Sequence, residues 1–185
     1  MKTNNILTGK VRASYVHLQD KDALSDKYCI TLLIPKSDTK TMNALMGEVK
    51  RVAGEYKAKG GKRAIESLHG IHDGDKPSPK GSEYGPECKG CYVLRAANKT
   101  VPKCFDRQGT EIIDLSEIYS GCYIRALVHA FSYDKNGSVG ISFTLDGVQK
   151  WSDGERLGGG FDATADMFAD GYTDPDGDGL DDYGI

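Results

Sequence analysis

No run of about 18 consecutive apolar residues occurs in the 185-residue chain, which excludes a membrane-spanning helix. The opening segment, MKTNNILTGKVRASY, lacks the apolar stretch of a secretory signal. The expectation is therefore a cytoplasmic protein whose cysteines (Cys29, Cys88, Cys91, Cys104 and Cys122) stay reduced. There is no phosphate loop and no GxGxxG turn; Gly158-Gly159-Gly160 leads into an acidic stretch unsuited to phosphate. Tryptophan is scarce, with one residue, and there are five phenylalanines against ten tyrosines. Tyrosine suits surfaces that are part apolar and part polar, including those on which bases stack. From Phe161 to Ile185 there is no lysine, arginine or glutamate, but there are eight aspartates. The whole chain carries 24 basic against 27 acidic side chains, and without that tail the balance is 24 against 19, or +5. A mildly basic body with an acidic tail is a charge layout met in proteins that bind single-stranded nucleic acid. Such a tail competes with the polyanion for the body or is offered to partner proteins, although solubility alone would also account for it.

Residues 6–18 and 27–34 are short, β-branched and aromatic, and read as strands, the second closed by Pro35. A helix follows. Ser37 or Asp38 can cap it, Met42, Leu45, Met46, Val49, Val52, Ala53 and Tyr56 form its core-facing stripe, and Gly60-Gly61 ends it. Residues 70–90 are rich in Gly, Pro and charge and read as a long loop, a length that tends to be functional. Strands resume at 91–97, 100–105, 121–133 and 139–150, while 111–117 is ambiguous. Five or six strands with one substantial helix predict a mainly β protein, a barrel with a helix packed on it. The domain is expected over residues 1–155, with a glycine-rich hinge and a disordered acidic tail over 156–185.

Asn136-Gly137 is a type I′ hairpin signal, since both central positions need positive φ. Counting outward pairs Tyr133 with Gly140, Phe131 with Ser142, His129 with Thr144 and Val128 with Leu145. A period of two then collects Ala126, Val128, Ala130, Val139, Ile141, Phe143 and Leu145 on a core face. The other face shows Tyr123, Arg125, His129, Phe131 and Tyr133 opposite Gly140, Ser142 and Thr144. Flat rings and a cation beside small residues make a ledge on which nucleobases could stack. The competing reading covers Phe131 and Leu127 with the helix or a second subunit. Lys10, Arg12, Arg95, Lys99, Lys103 and Arg107 are the further candidate phosphate contacts, each also readable as an ordinary solvated charge.

Three rival sites are weaker. Asp174-Pro175-Asp176-Gly177-Asp178-Gly179 imitates a calcium loop, but its twelfth position would be Ile185 rather than Glu. Cys88-x-x-Cys91 with Cys104 or His72 could supply zinc ligands, yet no second pair at knuckle spacing follows. His69, His72, Asp73 and Asp75 would be the carboxylates and imidazoles of a magnesium nuclease, without a partner cluster on a strand. The expectation is no metal, no cofactor and no catalysis.

Several segments in one order resemble the single-stranded-DNA-binding proteins of tailed bacteriophages and prophages. They are TGKVRASYVHL at 8–18, ITLLIPKSD at 30–38, KGCYVLRA at 89–96 and the Asp106-Arg107 pair. IYSGCYIRA at 118–126, NGSVGISFTLDGVQK at 136–150, DGERLGG at 153–159 and the acidic end complete the match. The resemblance implies an OB-fold core, sequence-tolerant binding of single-stranded DNA, and a role in phage replication, recombination or repair in the bacterial cytoplasm. It also implies that Asp174, Asp176, Asp178, Asp181, Asp182, Tyr183 and Ile185 belong to a regulatory tail that docks replication or recombination proteins. This tail departs from the usual bacterial one in lacking a terminal Phe. A homo-oligomer is within expectation, and no coiled-coil signal specifies one. The alternative reading is a phage adaptor or inhibitor that grips a host protein through the barrel or the tail.

Overall fold

A computed structural model describes residues 4–158 together with 169 and 171. The expectations on Asp174–Ile185, calcium loop and partner tail alike, lie outside the described residues. The strands are β1 (Ile6–Leu7), β2 (Val11–Asp22), β3 (Lys27–Pro35), β4 (Ile71–Asp73), β5 (Cys91–Asn98), β6 (Lys103–Phe105), β7 (Tyr123–Lys135) and β8 (Ser138–Ser152). The helix α1 spans Thr39–Ala58 between β3 and β5. Two of the sequence expectations sharpen here. The long loop contains β4 and a single 3-10 turn at Pro86–Cys88, and the ambiguous 111–117 segment holds another at Leu115–Glu117.

Pairing runs β7-β2-β3-β5-β8 and closes because β8 also pairs with β7. Every contact in that ring is antiparallel except β5 with β8, which is parallel. This order and polarity define the five-stranded Greek-key barrel of the OB type. β1 continues the line of β2 along β7, and β6 extends β8 past the end of β5. The interior is filled by alternate residues of each strand, among them Val11, Ala13, Ile30, Leu32, Ile34, Leu94, Ala96, Ile124, Val128, Phe143 and Leu145. Leu45, Val49 and Val52 of α1 join the same cluster, so the predicted stripe is the face that seals the barrel. Asp38 rather than Ser37 is the cap, its carboxylate accepting from Thr41 N at 3.1 Å.

The β7–β8 register is the one counted outward from Asn136-Gly137, whose φ values are +51° and +77°. It holds from Lys135–Ser138 to Val128–Leu145. Beyond that point two bulges on β8 intervene, leaving Asp146 and Trp151 without opposite numbers. A bulge re-aims the extra side chain, and both residues matter below.

A smaller apolar cluster of Leu33, Cys88 and Val93 lies on the outer surface of β3 and β5, where Tyr84, Cys91 and Leu157 pack on it. The 74–90 segment is thus anchored to the barrel. Gly74 permits this, since a Cβ there would collide with the Cys88 and Cys91 carbonyls. Lys36 adds an ion pair to Asp73 at 2.6 Å and to Asp75 at 2.7 Å. Hydrogen bonding from Lys36 holds both carboxylates below their usual range.

Candidate nucleic-acid interface

The outer surface of the barrel carries a row of side chains set by strand register. Ser14 on β2 faces Thr31 on β3, and Thr31 faces Arg95 on β5. The β5–β8 pairing of Ala96 with Phe143 brings Arg95 beside Ser142, which in turn faces Phe131 on β7. Four inter-strand steps make this row roughly 19 Å long. A groove of 350 Å³ follows it, lined by Ser14, Tyr15, Thr31, Leu33, Gly70, His72, Tyr84, Cys88, Val93, Arg95 and Ser142. Ser14, Thr31 and Ser142 are its small polar members, Leu33, Cys88 and Val93 an apolar patch, and Tyr15, His72 and Tyr84 its rings.

Tyr15 is 69% exposed although alternation from Val11 and Ala13 would send it inward. Its φ of +44° marks the irregularity in β2 that turns it out. Arg95 is held upright by Ser25 Oγ at 2.7 Å and Asp22 at 3.3 Å, both at the β2–β3 turn. The hydrogen bonds from Ser25 keep Asp22 ionised below its ordinary range. His72 is half-buried and burial, reinforced by His69, lowers its pKa, so at neutral pH it presents an uncharged ring. Burial pushes the Cys88 thiol up to about 11, which makes it an inert wall.

The predicted ledge on β7 divides. Phe131 remains exposed at 37% beside Ser142, at the end of the groove. Tyr133 lies over Gly140, where an added Cβ would meet its hydroxyl and the Leu68 carbonyl at 2.7 Å. The middle of the ledge is tied down: His129 Nδ1 and Asp146 lie 2.6 Å apart, and Arg125 Nε donates to the Thr8 carbonyl at 3.1 Å. Leu127 is half-buried beside β1. Tyr123 sits at the other end under Lys10 and Arg12, at 5.2 and 5.9 Å from the ring centre. Arg12 also donates to the Gly121 and Glu155 carbonyls. Lys103 pairs with Glu111 at 3.8 Å, Arg107 stacks on Trp151, and Lys99 is exposed after β5. Register thus brings Arg95, Phe131 and Tyr133 to the groove end of the barrel surface and gathers Lys10, Arg12, Tyr123 and Arg107 elsewhere.

Tyr15, Tyr84, Ser14 and Thr31 were not among the sequence candidates, and His72 was one only for zinc or a nuclease site. The abundance of tyrosine and the unusual length of the 70–90 loop were the signals that pointed toward them. A larger cleft of 510 Å³ lies between Val16–Asp20, Leu115–Ser120 and Arg156–Gly158. Tyr119 is the one tyrosine in its lining and its hydroxyl is tied by hydrogen bonds with Asp153 and Gly154, whereas Tyr15 and Tyr84 both line the smaller groove, which is the better stacking surface. Among the described residues no three His, Cys, Asp or Glu side chains are placed to hold a metal ion. Cys104 lies in the main core and Cys88 in the outer cluster, on opposite sides of the barrel wall.

Burial of neutral His69 and His72 predicts a pH effect. Both pKa values are lowered by folding, so the unfolded chain binds more protons and stability falls as pH drops below about 6.5. The melting temperature should decline between pH 7.5 and 5, and less steeply in a His69→Gln/His72→Gln variant. Equal slopes would contradict the assignment.

An OB barrel with a cation set among exposed rings on its strand face belongs to the class that holds single-stranded nucleic acid. The chain belongs to the family of the single-stranded-DNA-binding protein of Enterobacter phage Enc34, whose model matches residues 4–180. The solved Enc34 protein in complex with single-stranded DNA superposes with a TM-score of 0.71 at 29% identity, covering 83% of this chain and 89% of that one. Putative protein p50 of Acyrthosiphon pisum secondary endosymbiont phage 1 is 34% identical over 155 residues, 78% of this chain and 79% of the relative. The gp2.5 single-stranded-DNA-binding protein of bacteriophage T7 shares the fold, with a TM-score of 0.61 at 17% identity over 94% of this chain and 97% of that one.

Proposed function

We propose that this protein binds single-stranded DNA without sequence preference during phage DNA replication, recombination or repair, and that it acts by protection rather than catalysis. The observation that carries the reading is the row across the barrel surface. Arg95 stands fixed between the exposed Tyr15 and the half-buried Tyr84 on one side and the exposed Phe131 on the other. Bases stack on the rings, and Arg95 neutralises a phosphate between them. Ser14, Thr31 and Ser142 leave room for the sugar. Stacking and backbone charge are both blind to base identity, which gives tolerance of sequence. Double-stranded DNA keeps its bases paired and cannot offer them to these rings.

In this reading residues 1–155 are the DNA-binding domain, and 156–185 are the hinge and acidic tail. The tail competes with DNA for the basic body and docks replication or recombination proteins. The protein works in the cytoplasm of the bacterial host; among the described residues no helix is long and apolar enough to cross a membrane. Asp73 and Asp75, two of the four nuclease candidates, both pair with Lys36.

A fluorescence-polarisation titration with oligo(dT) and a matching duplex tests the reading. Preference for the single strand that weakens as salt rises is expected. Equal or absent binding would favour the adaptor or inhibitor alternative.

A further inference from the structure

The groove does not use Trp151, the chain's one tryptophan. Trp151 is the extra residue of the bulge between the Tyr123–Ser152 and Ile124–Lys150 pairs. The exposed Arg107 guanidinium lies 4.1 Å from its ring centre. Gln149, facing Arg125, donates to the Asp106 carbonyl at 3.5 Å and so ties the Arg107 turn to β8. Tyr123, beside the bulge, carries Lys10 and Arg12 over its face. Arg12 faces Leu33, a groove-lining residue, on one side and Tyr123 on the other. It is the step from the groove to this second group of rings.

We propose that a DNA single strand longer than the groove continues past Arg12 onto a second stacking surface, built from Tyr123 and Trp151 with Lys10 and Arg107. The inference rests on the single-stranded-DNA reading above. The Arg107 guanidinium is exposed as well as close to the indole, so its N–H groups can reach a phosphate while the ring beside it meets a base. The neighbouring carboxylates do not oppose this. Asp106 accepts from its own turn at Gln108 and Thr110, Asp153 pairs with Lys150, and Glu111 pairs with Lys103. An acidic peptide would be served by the cations alone. The pairing of each ring with a cation is what nucleobases and phosphates together require.

Trp151 is its own reporter. An oligo(dT) of about four nucleotides should fill the groove and leave Trp151 emission nearly unchanged, whereas one of about 20 should quench it. Trp151→Ala and, separately, the surface change Arg107→Ala should each weaken binding of the longer oligonucleotide by about fivefold or more. The same variants should leave binding of the shorter one within about twofold. Quenching by neither length, quenching by both equally, or equal loss on both lengths in the Arg107→Ala variant would overturn the proposal. So would a response to DNA that vanishes when residues 161–185 are removed, because the surface would then hold the tail. A wild-type protein that binds neither oligonucleotide would instead remove the single-stranded-DNA reading, and this inference with it.

Discussion

Phe131→Ala should weaken binding of a short oligo(dT) roughly five- to 150-fold, the equivalent of about 1–3 kcal/mol for one stacked base. The side chain is 37% exposed and faces Ser142 at the end of the groove, so its removal deletes a stacking surface without opening the core. The neighbours that do hold the barrel, Ala130, Phe143 and Ile141, point the other way and are untouched. Thermal stability should therefore change little. Tyr133→Ala should weaken binding less, because its ring is already spread over Gly140 and only partly available. Parallel titrations and melting curves check both. Wild-type affinity in the two variants would place the stacking surface elsewhere.

Deleting residues 161–185 should tighten DNA binding several-fold at low salt, with the gain fading as the ionic strength approaches about 0.3 M. The deleted segment carries eight aspartates and no cation, and the remaining 160 residues are net positive by five charges. A tethered polyanion competes at high effective concentration, and its attraction to the body is of the screened kind that salt removes. Polarisation titrations of full-length and truncated chains at two or three salt concentrations give the comparison. Unchanged affinity at low salt would leave the tail as a partner handle or a solubilising segment.

Much of the scaffold was legible because it is local. Two positive-φ positions at Asn136-Gly137 set the register of eight successive pairs, and the 3.6-residue stripe from Met42 to Tyr56 marked the face of α1 that seals the barrel. The candidate interface was only half legible. Arg95, Phe131 and Tyr133 lie on regular strands, where alternation gives the side. Tyr15 does not: its outward turn depends on a positive φ at an irregularity, which no two-residue period encodes. Tyr84 and His72 reach the groove because Gly74 and Lys36 anchor a long segment on the outer wall, a contact between elements far apart in sequence. His129 and Arg125 show the opposite case. Their side is as alternation predicts, but the Asp146 bulge and the Thr8 carbonyl occupy them. Lys10, Arg12 and Arg107 carry charge that a sequence shows, while their grouping around Tyr123 and Trp151 follows from barrel closure and a second bulge.

Photo-crosslinking tests the central claim most directly. A short oligonucleotide carrying 5-iododeoxyuridine, bound to the full chain and irradiated, should leave adducts on peptides containing Tyr15, Tyr84 and Phe131. Adducts confined to the cleft of Val16–Asp20 and Leu115–Ser120, with none on those three residues, would contradict the placement of DNA in the groove.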